Sequence, residues 1–447
     1  MKFFQVILAL FLSIALFQVD AQAQIGKRFP SERKVIKDPK TGAKLIFLTS
    51  KPMGDRKIYQ THNQWTSDGK WIIFSSNRVR GEALAVNEES GEIVQVTEGG
   101  YTGMLNVSRK EMKLYFFRNM DGNRDQKAIV EVNLADVFQD SKSGKMKQAD
   151  QYERICGIIP EEYLATGDLT LDANDEWAWF RVGKNKAMRY LPEGTKLEPN
   201  FGPRNMGQGP GGIAGMNLKT GELKYVVSTP FQIGHIQSNP WVADQIVFCW
   251  ETGGKAPQRT WIVKTDGTGL RPLYPESSFD WVTHEAIISP DEVGIAILGH
   301  RKIKTEADTL NHKGTDPYGI NPGQEDGWGN CGTREKPTGF GVVNINTREM
   351  KIIGQTDSGS GFWHVSGSAD KKFGVGDDFT RNIYLINRQT GEMILLSAGH
   401  KSTAYDHPHP TFNQVGTKIV IQSAMLSEDN RSMNICVIPV PDKWLKD

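Results

Sequence analysis

Helical periodicity is almost absent from this chain, which points away from helical folds and leaves short β-branched and aromatic runs as the main structural signal. Cysteine is scarce. Four residues in 447 (Cys156, Cys249, Cys331 and Cys436) are too few for the disulfide framework of a small secreted scaffold. Cys249 and Cys436 lie in strand-like runs and read as buried thiols. A pairing between Cys156 and Cys331, both in loop-like stretches, stays open. Charge of one sign is lacking too: 53 basic against 52 acidic residues leave a formal net charge of +1. No overall field exists to recruit nucleic acid or an anionic membrane, so an anionic ligand needs a local site.

Long apolar runs are confined to the N-terminus. There Lys2 supplies a positive start, Phe3 to Phe17 an apolar core, and Ala21-Gln22-Ala23 a small-x-small cleavage pattern. This is the layout of a secretory signal peptide, and it is short for a bilayer span. Residues 1–23 are expected to be removed, leaving 24–447 as a periplasmic or secreted protein with no membrane attachment.

What the chain does have is repetition. An entry strand, a polar turn such as S-x-D-G-K, an apolar strand, and an outer hairpin turning at T-G-E or similar recur along it. "HNQWTSDGKWIIFSSNR" from His62 opens the first unit; "VSRKEMKLYFF", "LTLDANDEWAWF", "IQSNPWVADQIVFCW", "AIISPDEVGIAI", "VSGSADKKFGVG" and "TFNQVGTKIVI" mark the rest. Seven four-stranded units predict an all-β, seven-bladed β-propeller in a single domain, since radial stacking buries faces that one blade cannot bury alone. The last unit lacks an outermost strand after "NICVIPVP". "KLIFLTS", residues 44–50, is expected to supply it and close the ring.

Aligning the units on their apolar second strands exposes a second pattern. Counting twelve residues back reaches His62, His284, His364 and His409, and one extra turn residue brings His235 into the same slot. Met104 and Asp168 fill the other two. Five histidines in seven slots, from nine in the whole chain, exceed chance. His407 of "HPHP" lies two residues from His409, on the same face of an extended strand. The slot belongs to the innermost strand, so the imidazoles are expected to ring the channel, as a metal or proton-transfer site requires. A repeated structural hydrogen bond is the alternative.

The stretches "GHIQSNPWVADQIVFCWE", "RTWIVKTDGTGLRPLYP", "THEAIISPDE", "HVSGSAD" and "HPHPTF" resemble the oligogalacturonate lyases, a polysaccharide lyase family of seven-bladed propellers. The resemblance runs in order from about "GKRFPSE" to the C-terminus. It implies β-elimination on uronate oligosaccharides and a divalent metal, Mn2+ first, with Ca2+ or Zn2+ as alternatives. Carried over by motif, the metal ligands fall on His284, His407 and His409. Ala404 stands where the family has a ligating glutamine, which makes His364 the candidate substitute. Trp250 stands where the family motif has histidine. No arginine occupies the family's base position; Arg204 is the nearest candidate, with Arg259 beyond.

Elimination across a 4-linked uronate needs a base at C5, a proton for the leaving oxygen, and cations for the developing charge. His235 is the expected acid–base residue, and His62, Gln237 and Arg259 are expected to bind sugar. Two long segments interrupt the repeats. Residues 299–341 read as a lid or subsite wall, and the basic loop 183–212 as a contact for uronate carboxylates. "DGNRD", residues 121–125, reads as a turn. The rival to a lyase is a non-catalytic propeller that binds glycans or proteins; no nucleophile motif supports a hydrolase.

Overall fold

The computed structural model describes residues 24–199, 206–253, 256–276, 280–300, 339–356 and 361–446. Residues 1–23, expected to be a signal peptide, Arg204, Cys331 and residues 301–338 of the long insertion lie outside them. Seven antiparallel sheets follow one another along the chain as seven blades. Their innermost strands are Arg56–Lys57, Thr102–Val107, Thr166–Leu171, Ile233–Ser238, Asp280–Ser289, Phe362–Gly367 and Thr411–Phe412.

Local chemistry makes the blades alike. In four outer hairpins an asparagine ends the third strand, and its carbonyl accepts the backbone N–H groups two and three residues on: Asn87, Asn217, Asn344 and Asn387. This Asx turn fixes the reversal. The position that follows requires positive φ, and Gly91, Gly221 and Gly391 supply it at +74°, +75° and +77°. In the polar turn before the second strand, Asp68 and Asp370 accept the hydroxyls of Thr66 and Ser368, both at 2.6 Å.

The core is divided into wedges. Each of seven large apolar clusters draws its members from two adjoining blades rather than from one. Trp65, 1% exposed, packs between the last blade and the first. The strand Lys44–Phe47 pairs with Asn434–Pro439 through Ile46↔Val437 and Phe47↔Cys436, closing the ring as expected. Two outer strands and a helix go beyond the sequence reading: Lys34–Lys37 and Arg28–Phe29 add a fifth strand to the last and first blades, and Leu134–Ser143 is helical.

Two loop assignments need correction. Cys156 lies on the strand Glu153–Ile159 as a buried free thiol, because alternation on an outer strand turns it against the next blade. The segment 183–212 is not loop throughout, since Lys184–Met188 is helical and the strand Gln208–Asn217 begins inside it, pairing Val182 with Gly212. Cys249 and Cys436 are buried thiols in strands.

A buried ion cluster fastens the closure. Arg78 of blade one donates to Glu32, which precedes the closing strands, at 2.6 Å, and to Asp55 ahead of the first inner strand. Glu32 also accepts the backbone N–H groups of Ser50 and Lys51. Arg78→Ala leaves buried Asp55 without its counter-ion and Glu32 with only the more distant Lys51, and is expected to destabilise the fold by about 3–5 kcal/mol. Chemical denaturation of the variant beside the native protein checks this.

Candidate active site and metal centre

The inner strands share one defect at one height. In blades two to six the register to the second strand slips at Thr102/Asn106, Thr166/Leu169, Gly234/Gln237, Thr283/Ala286 and Phe362/His364. A bulge leaves residues unpaired and re-aims their side chains. The bulged residue is left-handed at Gly103 (φ +71°), Gly167 (+67°), His235 (+50°) and His284 (+48°), and His409 of the last blade matches at +50°. A fixed count of twelve therefore misses two slots: Gly103 and Gly167, not Met104 and Asp168, are equivalent to the histidines. Histidine in this conformation costs about 1–3 kcal/mol that glycine avoids, and such strain concentrates at functional sites.

These histidines meet. The His364 ring lies 3.8 Å from that of His409, 4.3 Å from His284 and 5.4 Å from His407, centroid to centroid. His235 extends the array, 6.3 Å from His284. Tyr59 stands edge-on to His235, His364 and His409 at 5.6, 6.0 and 5.0 Å.

Hydrogen bonds fix which nitrogen each ring offers. Asp377, fully buried, accepts from Nδ1 of His364 at 3.1 Å and from Nδ1 of His407 at 3.0 Å. His409 Nδ1 donates to Gln60 Oε1 at 2.8 Å, and His284 Nδ1 pairs with the Thr283 hydroxyl. Four rings thus have Nδ1 engaged; Nε2 is left over on His284, His364 and His407, while that of His409 faces Asp406. A carboxylate holding the far nitrogen is the usual outer support of a metal-binding imidazole. His409 Nε2 is buried without a hydrogen bond, 3.2 Å from Asp406 Oδ2. Against its burial, His409 is one of the groups that hold the Asp406 carboxyl well below the usual range. Burial, then the neighbouring rings, holds His284 and His364 well below the usual histidine pKa, so they are neutral donors at physiological pH. Among the described residues of this array, His364, Asp377 and His407 each bring a ligand atom within 4.8 Å of the other two, so they form the group that could hold a metal ion, with His284 and His409 beside it.

A charge cluster adjoins the array. His235 Nδ1 is 3.1 Å from Glu285 Oε1, and its Nε2 is 3.4 Å from Glu251 Oε2. Arg259, 2% exposed, donates from Nε to Glu285 Oε2 at 2.9 Å. Burial disfavours the imidazolium, but Glu285 and then Glu251 outweigh it, and the pKa of His235 is raised. Burial likewise works against the Glu285 anion, yet Arg259 and His235 hold its carboxyl well below the usual range. Cys249 lies 3.7 Å from Glu251, its thiol kept neutral by burial.

Lys57 completes the site. It is buried, its ammonium donates to the Ile58 carbonyl at 2.8 Å, and burial pushes its pKa down to about 7 against the pull of Asp377 and Asp406. It lines a cleft together with Arg56, Tyr59, Tyr101, Asp406 and His409.

The structure therefore brings together His235, His284, His364, His407, His409 and Arg259. It does not bring in His62, whose Nε2 meets the Leu169 carbonyl at 2.8 Å and whose ring lines the opposite mouth of the channel. Its inner strand ends at Lys57, so His62 falls beyond the bulge and faces elsewhere. Gln237, 1% exposed, bridges blades four and five, donating to the Glu285 carbonyl and accepting from the Ile287 N–H. Its amide has nothing left to offer sugar. Arg204 lies outside the described residues. Trp250 packs on Phe231 and donates to the Gly207 carbonyl, and Ala404 is buried in a small apolar cluster. Sequence reasoning missed Lys57, Tyr59, Asp377, Asp406, Glu251 and Glu285. The paired acids ending the otherwise apolar run "FGVGDD" were a visible signal for Asp377; Lys57 had none.

No protein-family model matches the chain, and no curated protein does. Among solved structures it is similar to an oligogalacturonate lyase in complex with manganese, with a TM-score of 0.69 and 16% identity, covering 95% of this chain and 100% of that one. It is similar also to the oligogalacturonate lyase of Vibrio parahaemolyticus, with a TM-score of 0.68 and 17% identity, covering 94% of this chain and 100% of that one. At such identities the likeness establishes a shared propeller fold.

Asp377→Asn keeps the size of the buried group but weakens its hold on both Nδ1–H groups. Affinity for Mn2+ is expected to fall roughly 10–100-fold, as for other outer-shell carboxylates. Calorimetric titration of the metal-stripped protein measures it; an unchanged affinity would remove Asp377 from the centre.

Proposed function

We propose that this protein is a secreted or periplasmic lyase that cleaves oligogalacturonate, or a related uronate-containing oligosaccharide, by metal-assisted β-elimination. The observation that carries the reading is the array of imidazoles, three of them with Nε2 left over, set beside a buried lysine at the foot of an open cleft. The likeness in fold to oligogalacturonate lyases supports it.

His364 and His407 would hold the ion together with Asp377, with His284 and His409 flanking them as further imidazoles. An imidazole-rich set with nearby carboxylates suits Mn2+ or Zn2+ better than Ca2+, which prefers oxygen ligands. When bound, the ion neutralises charge that builds on the uronate carboxylate as C5 loses its proton. Lys57 is assigned as the base. Its depressed pKa leaves part of the amine neutral near pH 7, and a neutral amine can take the C5 proton at Nζ. His235 is assigned as the acid. Glu285 and Glu251 favour its imidazolium, which can deliver a proton to the leaving oxygen. Arg259 holds Glu285 in place, and Tyr59 keeps the rings at fixed angles while narrowing the channel to water.

The test is ultraviolet absorbance of a conjugated, unsaturated uronate when purified protein meets a panel of uronate oligosaccharides with Mn2+ present. Silence across the panel would sink the lyase reading and favour a glycan-binding propeller. Lys57→Met and His235→Ala are each expected to lower turnover by about 10²–10⁴. Only deprotonated Lys57 can act as base, so kcat/KM should rise as pH increases through about 7. A profile flat across that region, or falling through it, would exclude Lys57.

A further inference from the structure

The inner strands run past the histidine array to a second mouth of the same channel. Asn413 follows His409 by four extended residues, about 13 Å at 3.3 Å per residue. A polar cavity opens there, lined by the ends of all seven inner segments. Nothing in the elimination chemistry uses it.

Its walls hold donors without acceptors. Arg109 lies with its guanidinium carbon 4.8 Å above the Trp241 ring, and none of the described residues accepts a hydrogen bond from it. Burial pushes its pKa down to about 10 against the attraction of Asp175, so it stays a cation at neutral pH. Gln60 Nε2, Ser238 Oγ and Gln414 Nε2 are all buried atoms without a hydrogen-bond partner. Gln60 and Ser238 are only 4% and 5% exposed, and both line the cavity. Buried polar groups are normally paired, and leaving one unmade costs about 1–3 kcal/mol. Three in one cavity, beside a guanidinium that has Asp175 as a charged neighbour but no hydrogen-bond acceptor among the described residues, describe a surface arranged for a partner rich in acceptors.

The acids of the cavity are already engaged. Asp172 Oδ1 accepts the N–H groups of Asn174, Glu176 and Trp177, and Asp175 Oδ2 accepts the Ser108 hydroxyl at 2.5 Å. His62 is likewise occupied at both nitrogens. What remains is a planar five-donor fork, two primary amides and a hydroxyl. A guanidinium fork matches a carboxylate in two-point contact, and amides and a hydroxyl match ring hydroxyls.

We propose that this opposite mouth is a second ligand site, which takes a small hydroxylated carboxylate of sugar-acid size, with Arg109 on the carboxylate. The site meets the histidine array only at Gln60, whose carbonyl accepts from His409, and it stands whether or not that array is catalytic.

The probe is sodium galacturonate, titrated calorimetrically into the full mature chain without added metal. In a His364→Ala, His407→Ala background, which disables the array, saturable one-to-one binding is expected to persist. Arg109→Met should weaken it about 10–100-fold, as loss of a charged hydrogen bond does. Arg109→Lys, which keeps the charge but loses the fork, should weaken it nearly as much. Gln414→Met, on a half-exposed turn, gives an independent reading if the arginine variants fail to fold, with a several-fold loss expected. Galactose, lacking the carboxylate, should bind at least tenfold more weakly. Equal binding of galactose, preference for inorganic phosphate, no binding in the array-disabled background, or affinity unchanged by these variants would each overturn the proposal.

Discussion

No blade of this protein can bury both of its own faces, and every other feature depends on how that constraint is met. Each large apolar cluster is shared by two adjoining blades, so a blade's interior is completed only by its neighbour. Such an arrangement has no end unless it closes. Lys44–Phe47 lies against Asn434–Pro439, so the chain's beginning completes the sheet of its last blade. The Arg78 cluster then ties the approach to that strand to the first blade. Closure is what makes a central channel, and the channel is what lets residues from Tyr59 to His409 share one site.

The second constraint is the bulge repeated on the inner strands. A regular strand would alternate side chains into the two adjoining wedges, and the histidines would be lost to packing. The bulge releases a residue from the ladder in five successive blades, and the three left-handed histidines show that the position is held against local strain. Around them, polarity is graded by partner. Neutral rings sit against one another and against Asp377, whereas His235 sits between Glu285 and Glu251 and is pushed toward its charged form. One residue type, at one position of a repeat, thus acquires two electrostatic characters.

Gln60 links the two mouths of the channel. Its carbonyl accepts from His409 on one side, and its amide nitrogen is unpaired where the opposite cavity begins. A repeat architecture invites this, because each inner strand presents one end to each mouth.

Much of the fold was legible because it is periodic. Turn chemistry at Asp68, Asn217 and Asn387 is local, the apolar second strands align by counting, and the missing last strand had an evident supplier in residues 44–50. The histidine pattern was legible for the same reason, down to His364 as a neighbour of His284 and His409. Counting failed where structure is not periodic. One additional bulged residue in blade two and a shifted bulge in blade three moved the slot to Gly103 and Gly167, and the short first inner strand sent His62 to the other mouth. Asp377, Glu285, Lys57 and Tyr59 were decided only by tertiary structure. Their roles come from burial and from partners on other strands and blades, and no local pattern encodes the dielectric a lysine will meet once a ring of blades has closed around it.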